Sequence, residues 1–260
     1  MAFANPSPLA LFGFAFPTIL LSICNAGIFK MNAALLGLAI AHGGLSQLVV
    51  GILLFFKGST FGHVVFFSYG AFWWSVAILV AMPGIAPESF AKPTDPFMGA
   101  FFLLWGIFSF FCWFCTFRQN RVVFLTFLAL WPTFVLLSVS HWNGDAGTLK
   151  AGGWLGLICG CLAFYLGMAE LVNETVGSVL LPIGDPKNVE RERAFLRNWA
   201  NQLRGREPDE GGSLGCEVGT VKRDSDVEQG VTAGAVVLLN RPDTVAQGMT
   251  VRKCPSATLG

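Results

Sequence analysis

From Pro8 to Phe29 the chain carries no charged side chain. A helix of that length spans about 30 Å, enough to cross the hydrocarbon core of a bilayer. Five further stretches repeat the pattern, near 32–56, 61–82, 97–117, 122–142 and 151–172. Hydrocarbon offers no partner to a backbone N–H or C=O, so each stretch must satisfy its own polar groups as a helix. The expected fold class is therefore an all-α membrane protein with six transmembrane helices per protomer.

The placement of charge divides the chain. Residues 1–184 hold six Lys/Arg and five Asp/Glu, whereas residues 185–260 hold eleven of each. This predicts a transmembrane domain over 1–184 and a polar cytoplasmic tail over 185–260. Within the tail, residues 189–204 set Phe195, Leu196, Trp199 and Leu203 on one helical face among arginines. That pattern fits an interfacial helix on the inner leaflet or a solvated one. Residues beyond 204, rich in Gly and Asp, read as mostly disordered. Charged residues make up 13% of the chain and its net charge is +1, which excludes a nucleic-acid partner. The amino terminus lacks the basic region of a cleavable signal. Cys112 and Cys115 lie in an uncharged run and read as packing residues, not as a metal or redox pair.

An even number of spans puts both termini on one side. With cytoplasmic termini, Lys57, Arg118, Arg121, Lys187, Arg191 and Arg193 fall inside, against Lys30, Lys92 and Lys150 outside. That excess follows the positive-inside rule.

The first stretch opens on Asn5-Pro6-Ser7-Pro8-Leu9-Ala10-Leu11. Asn5 can cap the first turn, and a proline there loses only a donor that had no helical partner. The motif fixes where the first helix enters the membrane. Polar groups inside the spans are few: Asn25, His42, Gln47, Tyr69 and Glu170, with Asn173 just beyond Glu170. Such groups cost free energy in lipid and usually face a neighbour or a pore. Each has a plain alternative: Tyr69 and His42 as packing residues, Glu170 as a helix-terminal group. No Lys or Arg lies deep in any span, so a tight anion site is not expected. A solute that crosses is neutral, or an anion held briefly. No enzyme, cofactor or metal site is expected, since no catalytic triad, phosphate loop or metal cluster is visible.

The even spans carry small residues at helical spacing: Gly37, Ala41, Gly44 and Gly51 in the second, and Gly153, Gly156, Gly160, Ala163 and Gly167 in the sixth. Small-residue stripes allow close backbone approach in lipid, and contacts between protomers are expected through them.

The opening motif resembles the N-P-A-P-L-G-L signature of the acetate uptake transporter family, the SatP/YaaH type. The likeness continues through Ser68-Tyr69-Gly70-Ala71-Phe72-Trp73, Gly153-Trp154-Leu155-Gly156-Leu157-Ile158-Cys159-Gly160 and Glu170-Leu171-Val172-Asn173-Glu174, ending at Leu181-Pro182-Ile183-Gly184. It covers roughly 5–184. The resemblance implies hexamers in which each protomer has its own pore for acetate, other short monocarboxylates or succinate, channel-like or coupled to protons. It implies a hydrophobic constriction at Phe14, Tyr69 and Leu130, with Tyr69 donating to the carboxyl group and residues 5–11 shaping a vestibule. Glu170, Asn173, His42, Gln47 and Asn25 are candidates for proton coupling or a polar pore. The partners implied are acetate or short carboxylates, protons, the lipid bilayer and further copies of the chain, in a plasma membrane. Departures are Ser7 and Ala10 in the signature, His42 at a usually aromatic position, and Pro17 and Pro132. A proline leaves the carbonyl four residues earlier without its helical donor, here Gly13 and Leu128. These carbonyls are expected to act as acceptors if they face the pore. The rival readings are a channel for urea, amides or ammonia, and a sensor signalling through the tail.

Overall fold

The computed structural model describes residues 4–186 together with 193, 196, 197, 200, 201 and 204. Among the described residues six long helices are present: α1 (Ser7–Asn25), α2 (Ala33–Phe56), α3 (Thr60–Ile85), α4 (Asp95–Cys115), α5 (Arg121–Asn143) and α6 (Ala146–Val176). Each is long and apolar enough to cross a membrane. The chain is an integral membrane protein. Most of 189–204 and all of 205–260 lie outside the described residues.

The helix ends depart from the apolar runs for local reasons. α1 stops at Asn25, short of Phe29, because Gly27 takes a φ of +81° and Ile28 N–H turns back to Ile23 O at 3.1 Å. α6 starts at Ala146, five residues before the apolar run. Asp145 caps it, accepting from the N–H groups of Gly147 and Thr148 and from the Thr148 hydroxyl. The Thr148 bonds and the Gly147 N–H hold the Asp145 carboxyl below its usual range. After α6, Asn173 pins the returning chain: its Oδ1 accepts from Leu180 N–H and Leu181 N–H, and its Nδ2 donates to Leu181 O at 2.8 Å. Ile183 O and Gly184 O then accept the first N–H groups of α5, from Val122 and Arg121.

α2 is interrupted by a π-helical segment, Ala39–Ser46, that includes His42, Gly43 and Gly44. The two glycines lie against Trp73 and Trp74 of α3, and a Cβ on Gly44 would collide with the Trp74 indole. Trp74 Nε1 donates to Ile40 O at 3.0 Å, a carbonyl within the widened turns. Nothing in the sequence pattern signalled this break.

The glycine stripes work within the protomer, contrary to the expectation that they join protomers. A Cβ on Gly153 would run into the backbone of Asn25 and Ala26 in and beyond α1. Gly156 faces Ser22, Gly160 faces Ile19 and Thr18, and Gly167 faces Leu11 and Phe12, so α6 lies directly on α1. Gly51 meets the Phe67 backbone of α3, and among the stripe glycines only Gly37 opens onto free space. Short side chains thus hold the bundle together where lipid supplies no hydrophobic drive between helices.

Candidate transport path

Two cavities sit inside the bundle. The wide one, about 180 Å³, is lined by Ser7, Leu11 and Phe14 of α1, Gln47 and Leu54 of α2, Tyr69 of α3, Thr126 and Leu130 of α5, and Glu170 of α6, among others. The narrow one, about 30 Å³, is lined by Phe14, Thr18, Ser22 and Asn25 of α1, Phe72 and Trp73 of α3, Phe102 of α4, and Leu130, Thr133 and Phe134 of α5, among others. Phe14 and Leu130 border both, so they stand at the division between them.

Helical spacing explains the alignment. Ser7, Leu11, Phe14, Thr18, Ser22 and Asn25 fall at intervals of three or four and form one face of α1. That face runs about 27 Å, close to the depth of the hydrocarbon core. On α5, Val123, Thr126, Phe127, Leu130, Thr133, Phe134 and Leu137 repeat the pattern. Faces of α1, α3 and α5 therefore border both cavities.

The three expected constriction residues are all buried, with 7%, 2% and 4% of Phe14, Tyr69 and Leu130 exposed. Phe14 and Tyr69 meet edge to face with centroids 5.4 Å apart. Tyr69 also touches Phe127, Phe108 and Trp105. Its hydroxyl lies 2.8 Å from Ser109 Oγ, which in turn donates to Trp105 O at 2.6 Å. Tyr69 is thus engaged by α4, a contact the sequence did not reveal.

The opening motif divides its tasks. Asn5 Oδ1 accepts from Ser7 N–H, and its Nδ2 donates to Glu170 Oε2 at 3.1 Å. Ala10 O accepts from Gln47 Nε2 at 3.2 Å. Ser7 and Leu11 line the wide cavity, Pro8 is buried, and Leu9 points outward with 47% exposure. Pro6 is the helix-capping residue by backbone geometry, so Asn5 acts one position earlier than a cap.

The remaining polar candidates separate. Glu170 and Gln47 line the wide cavity and Asn25 the narrow one. Asn173 lines neither, its amide being occupied by the segment after α6. His42 also lines neither: its ring stacks on Phe16 with centroids 5.1 Å apart, and Nδ1 lies 3.2 Å from Ser46 Oγ. The proline-freed carbonyls of Gly13 and Leu128 do not serve the path, because neither residue lines a cavity. Gly13 faces the His42 backbone and Leu128 is 37% exposed on the outside of the bundle. The threonines that follow the prolines take that place. Thr18 and Thr133 border the narrow cavity while bonding back to Phe14 O and Ala129 O. The Pro-Thr pairs at 17–18 and 132–133 were the sequence signal for them. Among the described residues no cluster of His, Cys, Asp and Glu is placed to hold a metal ion.

Comparison with known families places this arrangement. The family model described as "GPR1/FUN34/yaaH family" matches residues 1–184. The chain belongs to that family. It is 40% identical over 182 residues to the succinate-acetate/proton symporter SatP of Escherichia coli K12, covering 70% of this chain and 96% of that one. It is 36% identical over 193 residues to ammonia transport outward protein 2 of Saccharomyces cerevisiae, covering 72% of this chain and 68% of the yeast protein. A solved structure of the bacterial acetate channel SatP superposes with a TM-score of 0.69 at 40% identity, over 70% of this chain and all of that one. The matched portion is the six-helix bundle that holds both cavities.

Proposed function

We propose that the protein carries acetate and other short monocarboxylates across a membrane, together with protons, through a path in each protomer. The observation that carries this reading is the pair of cavities meeting at Phe14 and Leu130. They lie in a bundle 40% identical to a succinate-acetate/proton symporter.

The neck formed by Phe14, Tyr69 and Leu130 is the selective element. An ionised carboxylate stripped of water in such a setting loses tens of kcal/mol of hydration, whereas a hydroxyl or amide loses about 2–7 kcal/mol. One charged hydrogen bond returns about 1.5–3 kcal/mol, too little to offset the first loss. The neck therefore favours small solutes and disfavours dianions. Residues 5–11 shape the mouth of the wide cavity. The path is complete within one protomer, and assembly into hexamers uses the outer faces of the helices. With six basic residues on one side and three on the other, both termini face the cytoplasm.

Uptake of labelled acetate, urea and ammonium by proteoliposomes tests the reading. Acetate uptake above that of protein-free vesicles is expected, with urea far slower. The yeast relative's name favours one second reading, ammonia transport. Ammonium-driven alkalinisation of the lumen without acetate uptake would establish it. Native mass spectrometry in lipid checks the hexamer.

A further inference from the structure

Resting on the short-carboxylate reading above, a cluster at the end of the bundle beyond the narrow cavity carries one further step. An open recess of about 260 Å³ lies there, lined by Asp95 of α4, Ser140 and His141 of α5, and Asp145 and Leu149 at the start of α6, among others. His141 Nδ1 donates to Asp95 Oδ1 at 3.0 Å. The imidazole stacks on Phe102, with ring centroids 5.5 Å apart and planes 21° apart. Phe102 is buried and lines the narrow cavity, where it is the contribution of α4. One aromatic ring thus has the path on one side and a histidine of the recess on the other.

The His141–Asp95 pair is not needed to hold α4 against α5. Ser138 Oγ donates to Gly99 O at 2.7 Å and Trp142 Nε1 donates to Pro96 O at 3.1 Å. The backbone of α4 is therefore tied to α5 by residues on either side of His141. Asp95 is 77% exposed, and an ion pair so placed adds little to stability. What the bond does fix is the ring. A histidine on a helix has several rotamers open to it, and anchoring Nδ1 on Asp95 selects the one whose face meets Phe102. Phe102 also stacks on Phe134, two turns earlier on α5, with centroids 6.4 Å apart and planes 26° apart. Two nearly parallel rings of α5 steady it, Phe134 from the narrow cavity and His141 from the recess. Asp145, the other carboxylate of the recess, is committed to the start of α6, where it accepts from Gly147 and Thr148.

We propose that His141 is a positioning residue for the size limit of the path. Held by Asp95, it keeps the Phe102 ring against the narrow cavity, so that acetate passes and longer acids are held back. The size limit is then set at two places: at Phe14 and Leu130, and at a ring on α4 that is steadied from outside the path.

The full chain in phosphatidylcholine vesicles provides the test, with uptake of labelled acetate and lactate measured beyond that of protein-free vesicles. His141→Ala should raise the lactate-to-acetate ratio about fivefold, the change expected for loss of one aromatic pairing. Acetate flux itself should change little. Phe102→Leu should raise the ratio similarly, and His141→Ala added to it should raise it no further, because both act on one ring. Asp95→Ala should raise the ratio by less, and Asp95→Asn, which keeps an acceptor for Nδ1, should restore the wild-type value. Ser138→Ala breaks a neighbouring tie between α4 and α5 without touching Phe102, and should leave the ratio unchanged. A folded His141→Ala protein with the wild-type ratio overturns the proposal. So does a double variant whose effect is the product of the two single ones, or a Ser138→Ala protein that admits lactate equally. Should His141→Ala fail to fold, Asp95→Ala alters only an exposed side chain, and a wild-type ratio there overturns the proposal as well. Absence of acetate uptake by the wild type is the separate result that overturns the transport reading, and this proposal with it.

Discussion

On one side of Phe14 and Leu130 the path opens into about 180 Å³, bordered by Glu170, Gln47, Gln119, Ser7 and Ser59. On the other it shrinks to about 30 Å³, bordered mostly by Phe, Leu and Trp with Thr18, Ser22, Asn25 and Thr133 between them. Both sides are built from the same faces of α1 and α5, so the difference does not lie in the scaffold. It lies in which other helices close the ring. α2 and α6 supply amide and carboxyl groups to the wide side, whereas α4 supplies Phe102 to the narrow one. A shared frame with different closing helices gives a roomier, more polar cavity on one side. It also gives a narrow, more apolar cavity on the other.

The comparison can be broken most severely where α6 packs on α1, the helix that lines both cavities. Gly153→Leu would drive a side chain into the backbone of Asn25 and Ala26. Strain from such overpacking costs about 1–3 kcal/mol or more, and little folded protein is expected by size-exclusion chromatography. Gly37→Leu, which meets open space, should stay within about 0.5 kcal/mol of wild type in the same assay. A smaller effect is expected from Glu170→Gln, which removes the single charge lining the path while leaving an oxygen for Asn5. Relief of about 1 kcal/mol of repulsion should lower the KM for acetate about fivefold, with the slope of flux against pH retained. Loss of that slope would move the proton coupling onto Glu170. Of similar size is the effect of Thr133→Val, which keeps the shape but deletes one hydroxyl of the narrow side. A hydrogen bond worth about 1 kcal/mol implies acetate flux lowered about fivefold. Equal flux in both proteins would show that the narrow side acts by width alone.

The six helices were legible because uncharged runs of span length have one solution in lipid. Phe14 and Tyr69 were legible because each sits in or beside a motif shared with the family, and Leu130 falls on the same face of α5 as its threonine neighbours. What could not be read depended on which helices touch. Gly153 and Gly160 look the same in sequence whether they meet α1 or another protomer. The π segment at 39–46 coincides with the packing of Trp73 and Trp74 on Gly43 and Gly44, a contact between two helices. Ser109 gave no signal, since its importance comes only from lying opposite Tyr69 across the α3–α4 contact. Pro17 and Pro132 were noticed, but their freed carbonyls turn away from the path while the following threonines turn toward it.

The neck itself is tested most directly by the size limit of transported acids. Wild type, Phe14→Ala and Leu130→Ala would be reconstituted side by side and assayed for uptake of acetate, lactate and succinate. If the path passes between α1, α3 and α5, both alanine variants should join the cavities, raise acetate flux, and admit lactate and then succinate. Folded variants with an unchanged size limit would place the path elsewhere in the molecule.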